Sequence, residues 1–343
     1  MQNTLRFQRK LFFFPNLVRS FSIQPTEIKE QNVNISKESL IKMRKDTGYS
    51  YAKCRKALLK FGEQNYREAL RWIKDVAVKE GWEKAAKLSG RNASQGLCAL
   101  LIRKNIAAMI ELNCETDFVS KSEEFHILAS QLTADLFNYA ENLLPLKAEY
   151  KYFGGLNSLE FSLNELKNSD GYSFEEIIVT SIGRLGENIK LNRAKVFYTS
   201  PEFSVFGHAH PNEKIGQVEM GRFVSIVSIR RREENSGFPI EKLGRQICHH
   251  IIGMVPETLG EAFENKERKE EQNKNIANED YDEKDDDDGS LENMTKIDEN
   301  ESQLMQQSFM LNPQQKVYEY LNYHGADVKD FLRLELGTIE GIM

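Results

Sequence analysis

Apolar positions along this chain change their period. From Lys37 to Lys79 they recur at helical spacing and predict three short amphipathic helices. The first spans about Lys37 to Lys45, with Leu40, Ile41 and Met43 apolar, Ser36 as N-cap and Thr47-Gly48 as its break. The second spans about Ser50 to Phe61, carries Ala52, Cys54, Ala57, Leu58 and Phe61, and stops at Gly62. Asn65-Tyr66-Arg67-Glu68 sets a capping residue three positions ahead of an acid, a variant of the capping box. It opens a third helix with Ala69, Leu70, Ile73 and Val76, and Gly81 follows. Residues 82–96, with Lys84, Lys87 and Arg91 among small polar residues, read as a linker.

Beyond the linker the period shortens. Leu97 to Arg103 and Ile106 to Asn113 are apolar runs separated by Lys104-Asn105, the spacing of a β-hairpin. Helical spacing returns from Ser122 to Tyr139 through Phe125, Leu128, Ala129, Leu132, Leu136 and Phe137. Glu141 to Gly171 has no clear period and reads as irregular. Ser173 caps a further helix with Ile177, Ile178 and Ile182. Strands are expected at Lys190 to Tyr198, Ser204 to His208 and Gly221 to Arg230, then a helix from Ile240 to Met254 ended by Pro256. Gln307 to Leu311 reads as strand, Pro313 to Tyr323 as helix and Ala326 to Gly337 as strand. On that last strand Arg333 and Glu335 share a face and are expected to pair. A strand pair leading into a long helix implies α+β layers rather than a doubly wound parallel sheet. The expected plan is a three-helix bundle over 36–81, then a core of antiparallel sheets with packed helices, divided into 97–198 and 199–343.

Charge redraws the two poorly patterned regions. The whole chain carries a net charge of −6 over 343 residues, but unevenly. Met1 to Thr26 holds four basic residues (Arg6, Arg9, Lys10, Arg19) and no acid, with Leu5, Phe7, Leu11 to Phe14, Leu17 and Val18 among them. Residues 1–22 therefore read as a mitochondrial presequence, with Arg19-Ser20-Phe21-Ser22 as cleavage context. The apolar run before Pro15 is too short for a secretory signal. No stretch reaches the roughly 18 apolar residues of a membrane span. Residues 264–301 hold sixteen acids against six bases and include Asp285 to Asp288. That composition predicts a disordered insert splitting the C-terminal domain. Consecutive aspartates do not supply the alternating ligands of a calcium loop. What remains is near neutral, which disfavours a dominant nucleic-acid surface.

Candidate enzyme chemistry is thin. Cys54, Cys98, Cys114 and Cys248 are widely spaced, with no Cys-x-x-Cys, and imply free thiols in a reduced compartment. Cys114 lies in an exposed-looking run, with acidic neighbours that disfavour its thiolate. His208 and His210 share a strand face, but no third metal ligand is identifiable; His249 and His250 diverge on a helix. There is no phosphate loop and no nucleophile elbow, so no cofactor is expected.

One short run does carry information: Asn113-Cys114-Glu115-Thr116-Asp117-Phe118-Val119, between the second hairpin strand and the helix after Lys121. An acid and a large aromatic side by side at such a junction suit a partner's crevice better than a core. The run resembles the Thr-Asp-Phe-Val motif of elongation factor Ts, the guanine nucleotide exchange factor of the translational GTPase elongation factor Tu. Cys54-Arg55-Lys56-Ala57-Leu58 in the second helix, Leu185-Gly186-Glu187-Asn188-Ile189, and Phe331-Leu332-Arg333-Leu334-Glu335-Leu336-Gly337 resemble further elements of that family. Gly207-His208-Ala209-His210 resembles its Tyr-x-His stretch, with His208 at the tyrosine position. The resemblance implies partner-binding roles for Thr116, Asp117, Phe118, Val119, Leu185, Gly186 and His210. It implies mitochondrial elongation factor Tu as partner, the mitochondrial matrix as location, and nucleotide exchange without covalent chemistry. The family's coiled-coil excursion is expected to be absent, since 265–301 lacks apolar heptads. A different class remains open: a ubiquitin-associated-like module over Lys37 to Gly81 on a scaffold protein. An RNA-binding accessory protein fits the near-neutral core poorly.

Overall fold

The computed structural model describes residues 35–144, 155–232, 237–261 and 301–338. The basic leader, the acidic run 264–300 and part of the irregular stretch lie outside them. The chain divides into two compact units, 1–70 and 71–343.

In the first unit, α1 (Lys37–Thr47) starts where the Ser36 hydroxyl accepts the Ser39 amide and ends at Gly48 with φ 69°. Helix α2 (Tyr51–Phe61) stops at Gly62. Leu40, Met43, Cys54, Ala57, Leu58 and Ala69 are buried, while Ala52 faces out. The expected capping box at Asn65 does not form. Its side-chain amide donates instead to the Phe61 carbonyl at 3.0 Å, and a 3-10 turn (Glu63–Asn65) leads into α3 (Tyr66–Leu88).

From Arg71 on, α3 belongs to the second unit, and it passes straight through Gly81. Gly81 is a contact rather than a stop. A Cβ there would sit 2.3 Å from the Val179 carbonyl oxygen of α6 (Phe174–Leu185), and Gly183 of α6 faces it. Lys84 Nζ donates to the Gly183 carbonyl at 2.6 Å. The stretch read as a linker is therefore helical to Leu88, because its Ala85 and Leu88 pack on the core.

The second unit has two main sheets. The larger has six strands in the order β3 (Asn157–Glu160), β4 (Lys190–Tyr198), β2 (Ile106–Cys114), β1 (Gln95–Arg103), β7 (Val218–Gly221) and β6 (Glu213–Ile215). The smaller orders β11 (Ala326–Glu335), β8 (Phe223–Arg231) and β5 (Ser204–His210). Every ladder in both is antiparallel, as expected for α+β. Strands β6 and β7, unforeseen in the sequence, join β1, so 97–198 and 199–343 share a sheet. Strand β3 likewise orders part of the stretch read as irregular, and β9 (Ser308–Phe309) pairs with β10 (Asn312–Lys316).

Alternation along the strands builds the layers. Leu97, Ala99, Leu101, Ala108, Ile110 and Leu112 face α5 (Glu123–Leu143) and α6. Cys98, Leu100, Ala107 and Met109 face Val205, Ala209, Val224, Ile226 and Leu334 of the smaller sheet. The far side of that sheet, through Val227 and Ile229, meets α7 (Ile240–Met254) and α8 (Val317–Tyr323). The order is helix, sheet, sheet, helix. Strands buried on both faces read as continuous apolar runs, which is how β1 and β2 stand out in the sequence.

Candidate partner-binding site

The site grows from the end of β2. Cys114 keeps strand parity and points into the core, so its thiol is buried rather than exposed. Burial, then the Glu187 carboxylate, pushes that thiol up to about 12. The next residue to matter is Thr116, N-cap of the one-turn helix α4 (Asp117–Ser120). Its hydroxyl accepts the Val119 amide at 3.3 Å and donates to Glu187 Oε1 at 2.6 Å. Its own amide donates to Glu187 Oε2 at 3.1 Å. Glu115 accepts the Asn188 amide at 2.7 Å and faces Arg91 at 3.3 Å. The Asn188 side-chain amide returns to the Arg91 carbonyl at 2.8 Å. The loop after β2 and the loop after α6 are thus fastened together.

On that mount α4 projects outward. Phe118 is 83 % exposed. The Asp117 side chain is 52 % exposed, with Lys121 Nζ at 3.0 Å one turn on. Val119 is half-buried against the core, and so is Leu185. Gly186 closes α6 at φ 80°, a left-handed turn that glycine adopts without strain, and is exposed. Thr116 through Val119 and Leu185-Gly186 therefore meet through Glu187.

His210 joins from another side. An open cavity of about 390 Å³ is lined by Asp117, Ser120 and Lys121 from α4 and its end and by Pro211 and Glu213 from the turn after β5. His126, which also lines it, links the two groups, 2.9 Å from the Ser120 carbonyl and 3.1 Å from Glu213. His210 is exposed beside Pro211, whereas His208 is buried against Glu219. Among the described residues no group of three His, Cys, Asp or Glu is placed to hold a metal ion. Sequence reasoning did not single out Glu115, Glu187 or Arg91. Glu187 lay in plain view within the quoted Leu185–Ile189 run; Arg91 gave no signal.

Residues 115–338 match the family described as Elongation factor TS, and residues 26–83 match Elongation factor Ts, mitochondrial, N-terminal. The chain belongs to the elongation factor Ts family. Among its relatives, Elongation factor Ts, mitochondrial, from Brugia malayi is 43% identical, covering 88% of this chain and 88% of its own. The Caenorhabditis elegans protein of that name is 40% identical over 94% of this chain and 98% of its own. The human one is 31% identical over 89% of this chain and 84% of its own. Membership makes this chain a translation elongation factor of the mitochondrial type. A scaffold built on a ubiquitin-associated-like module does not account for the match across 115–338.

Proposed function

We propose that this chain is a guanine nucleotide exchange factor that acts on mitochondrial elongation factor Tu in the mitochondrial matrix. One observation carries the reading: Phe118 stands exposed beside Asp117 on a one-turn helix braced from behind by Glu187. An exposed aromatic on a rigid mount keeps its apolar surface available for a partner and loses little freedom on binding. Buried in a crevice of the GTPase, Phe118 contributes roughly 1.5–3 kcal/mol. Asp117 enters beside the GTPase's Mg²⁺ site. Its carboxylate leaves Lys121 and disturbs the ion's coordination or water network. With the ion displaced, the nucleotide phosphates lose their largest local compensating charge.

The chemistry is a shifted binding equilibrium, with no covalent bond changed. Exchange requires tighter binding to the nucleotide-free GTPase than to its GDP form; by linkage GDP weakens the factor's binding by the same ratio. The three-helix module over 36–81 adds a second contact, and Gly186 and His210 extend the first around α4. Neither a cofactor nor direct nucleic-acid or membrane binding enters the scheme. The deciding experiment loads mitochondrial elongation factor Tu with fluorescent GDP and adds this chain. Accelerated release is expected; release at the intrinsic rate would sink the proposal.

A further inference from the structure

Beneath the turn that carries His210 lies a polar cluster with one largely buried acid at its centre. The Glu219 side chain on β7 is 13 % exposed. Its Oε2 accepts the Ala209 amide at 3.3 Å and the Asn212 side-chain amide at 3.1 Å, and lies 3.3 Å from His208 Nδ1. Its Oε1 meets Lys214 Nζ at 2.7 Å and Arg245 Nη2 at 3.5 Å. The partners come from β5, from the turn, from β6 and from α7. His249 of α7 closes over His208, ring centroids 4.1 Å apart. Burial alone would raise the Glu219 pKa, but hydrogen bonds from His208 and Lys214 outweigh it and hold the carboxyl to about 2.

His210 and Pro211 sit between two residues that this carboxylate grips, Ala209 and Asn212. Their backbone is pinned from the other side as well. A Cβ on Gly221 would fall 2.6 Å from both the His210 nitrogen and the Pro211 oxygen, and the Arg222 amide donates to the His210 carbonyl at 2.9 Å. Pro211 and Glu213 at this turn line the same cavity as Asp117. We propose that Glu219 is a positioning residue for nucleotide exchange: it fixes the His210–Pro211 turn at the cavity that Asp117 also lines, so that both meet the GTPase at a set separation. This inference rests on the exchange-factor reading above. A carboxylate suits the task because its two oxygens accept donors from several elements at once, and a buried, fully satisfied polar network rigidifies what it joins.

The test uses the full chain with Glu219→Ala, Glu219→Gln and the surface variant Asn212→Ala. Two quantities are read: amide hydrogen exchange over residues 209–214, and GDP release from mitochondrial elongation factor Tu. Glu219→Ala is expected to lose protection in the turn and to slow release about three- to thirtyfold. Glu219→Gln keeps one carbonyl oxygen for Ala209 and Asn212 but turns an amide NH2 toward Lys214 and Arg245, so it is expected to keep more protection in the turn than Glu219→Ala and to slow release less. If Glu219→Ala melts far below the parent, Asn212→Ala decides, since an exposed side chain is lost there. It should loosen the turn and slow release in the same direction. A loosened turn with parental release overturns the proposal, and so does unchanged protection. If the parent itself releases no GDP, the exchange-factor reading falls, while amide protection still reports whether Glu219 holds the turn.

Discussion

Thr116 and Glu187 hold each other by two hydrogen bonds, the Thr116 amide to Oε2 at 3.1 Å and its hydroxyl to Oε1 at 2.6 Å. One residue caps the helix that presents Phe118; the other follows the glycine that ends α6. The pair fixes the aim of α4 from 71 residues away in sequence. Glu187→Ala should therefore lower stability by about 1–3 kcal/mol, as a part-buried donor pair loses its acceptor. It should also slow GDP release beyond what the stability change explains, because α4 then frays. Melting curves beside release kinetics check this. A destabilised variant with parental release would show that the aim of α4 is not set by Glu187.

Much of the fold was legible because it rests on local chemistry. The hairpin β1–β2, the cap at Ser173 and the helix stop at Gly62 follow from adjacent residues alone. Misreadings occurred where distant partners decide. Gly81 looked like a helix stop, yet a neighbouring helix backbone occupies its Cβ position. Pro313–Lys316 looked helical but lies in β10, which pairs with β9, and α8 begins only at Val317, where Lys316 and Glu319 form the capping box. Arg333 and Glu335 share a face without pairing. Arg222, from beyond the strand edge, approaches Glu335 to 3.4 Å, and Arg333 lies over the Phe223 ring. At the site, Asp117 and Phe118 were legible as a mismatch with burial, whereas the bracing by Arg91, Glu115 and Glu187 depends on loops brought together by the sheet.

Phe118 and Asp117 should separate affinity from mechanism. Phe118→Ala is expected to weaken binding to nucleotide-free elongation factor Tu by roughly 1–3 kcal/mol, the cost of losing an interface aromatic. Asp117→Ala should slow exchange more than it weakens the complex, and excess Mg²⁺ should widen the gap. Both variants should melt near the parent, since both side chains are largely exposed. Titration calorimetry, melting and release at two Mg²⁺ concentrations give the comparison. Stable variants that exchange at parental rates would move the site elsewhere.

Removing residues 265–300 should leave fold and exchange nearly intact. The chain on either side is already joined. The Glu257 amide donates to the Ser302 carbonyl at 2.8 Å, Leu304 N to Thr258 O at 2.8 Å, and Met305 N to Leu259 O at 3.0 Å. Gln306 Nε2 adds a bond to the Glu261 carbonyl at 2.6 Å. A short polar linker between Glu264 and Glu301 then replaces a segment whose flanking residues are already hydrogen-bonded together. The deletion variant's release rate is the measurement. A loss above about tenfold, ~1.4 kcal/mol, would mean that the segment touches the partner or the fold.

His250 should make stability fall on mild acidification, and its geometry sets the sign. The ring is wholly buried. Its Nδ1 accepts the Met310 amide at 3.2 Å, so Nε2 carries the proton and donates to Gln307 Oε1 at 2.9 Å. Gln307 in turn donates to the Met254 and Glu301 carbonyls. A second proton on the ring would break the Met310 bond and bury a charge. Burial therefore lowers the His250 pKa from 6.5 to about 4, with Gln307 opposing. The unfolded chain binds that proton near pH 6.5 and the folded chain only near 4. The contribution is complete above pH 6.5, is lost as pH falls from 6.5 through 4, and is flat below. Its size is up to about 3 kcal/mol. His249 and His324 are lowered too and act with the same sign, so the clean measurement is a difference. His250→Gln should be less stable than the parent at pH 7, because the ring's two bonds are disturbed. The gap should then narrow by about 2–3 kcal/mol between pH 6.5 and 4, since only the parent has this proton to take up on unfolding. Urea unfolding of both chains across that range tests it. A gap that stays constant with pH would mean that the folded protein accommodates a charged His250, and the tautomer assigned from Met310 and Gln307 would be wrong.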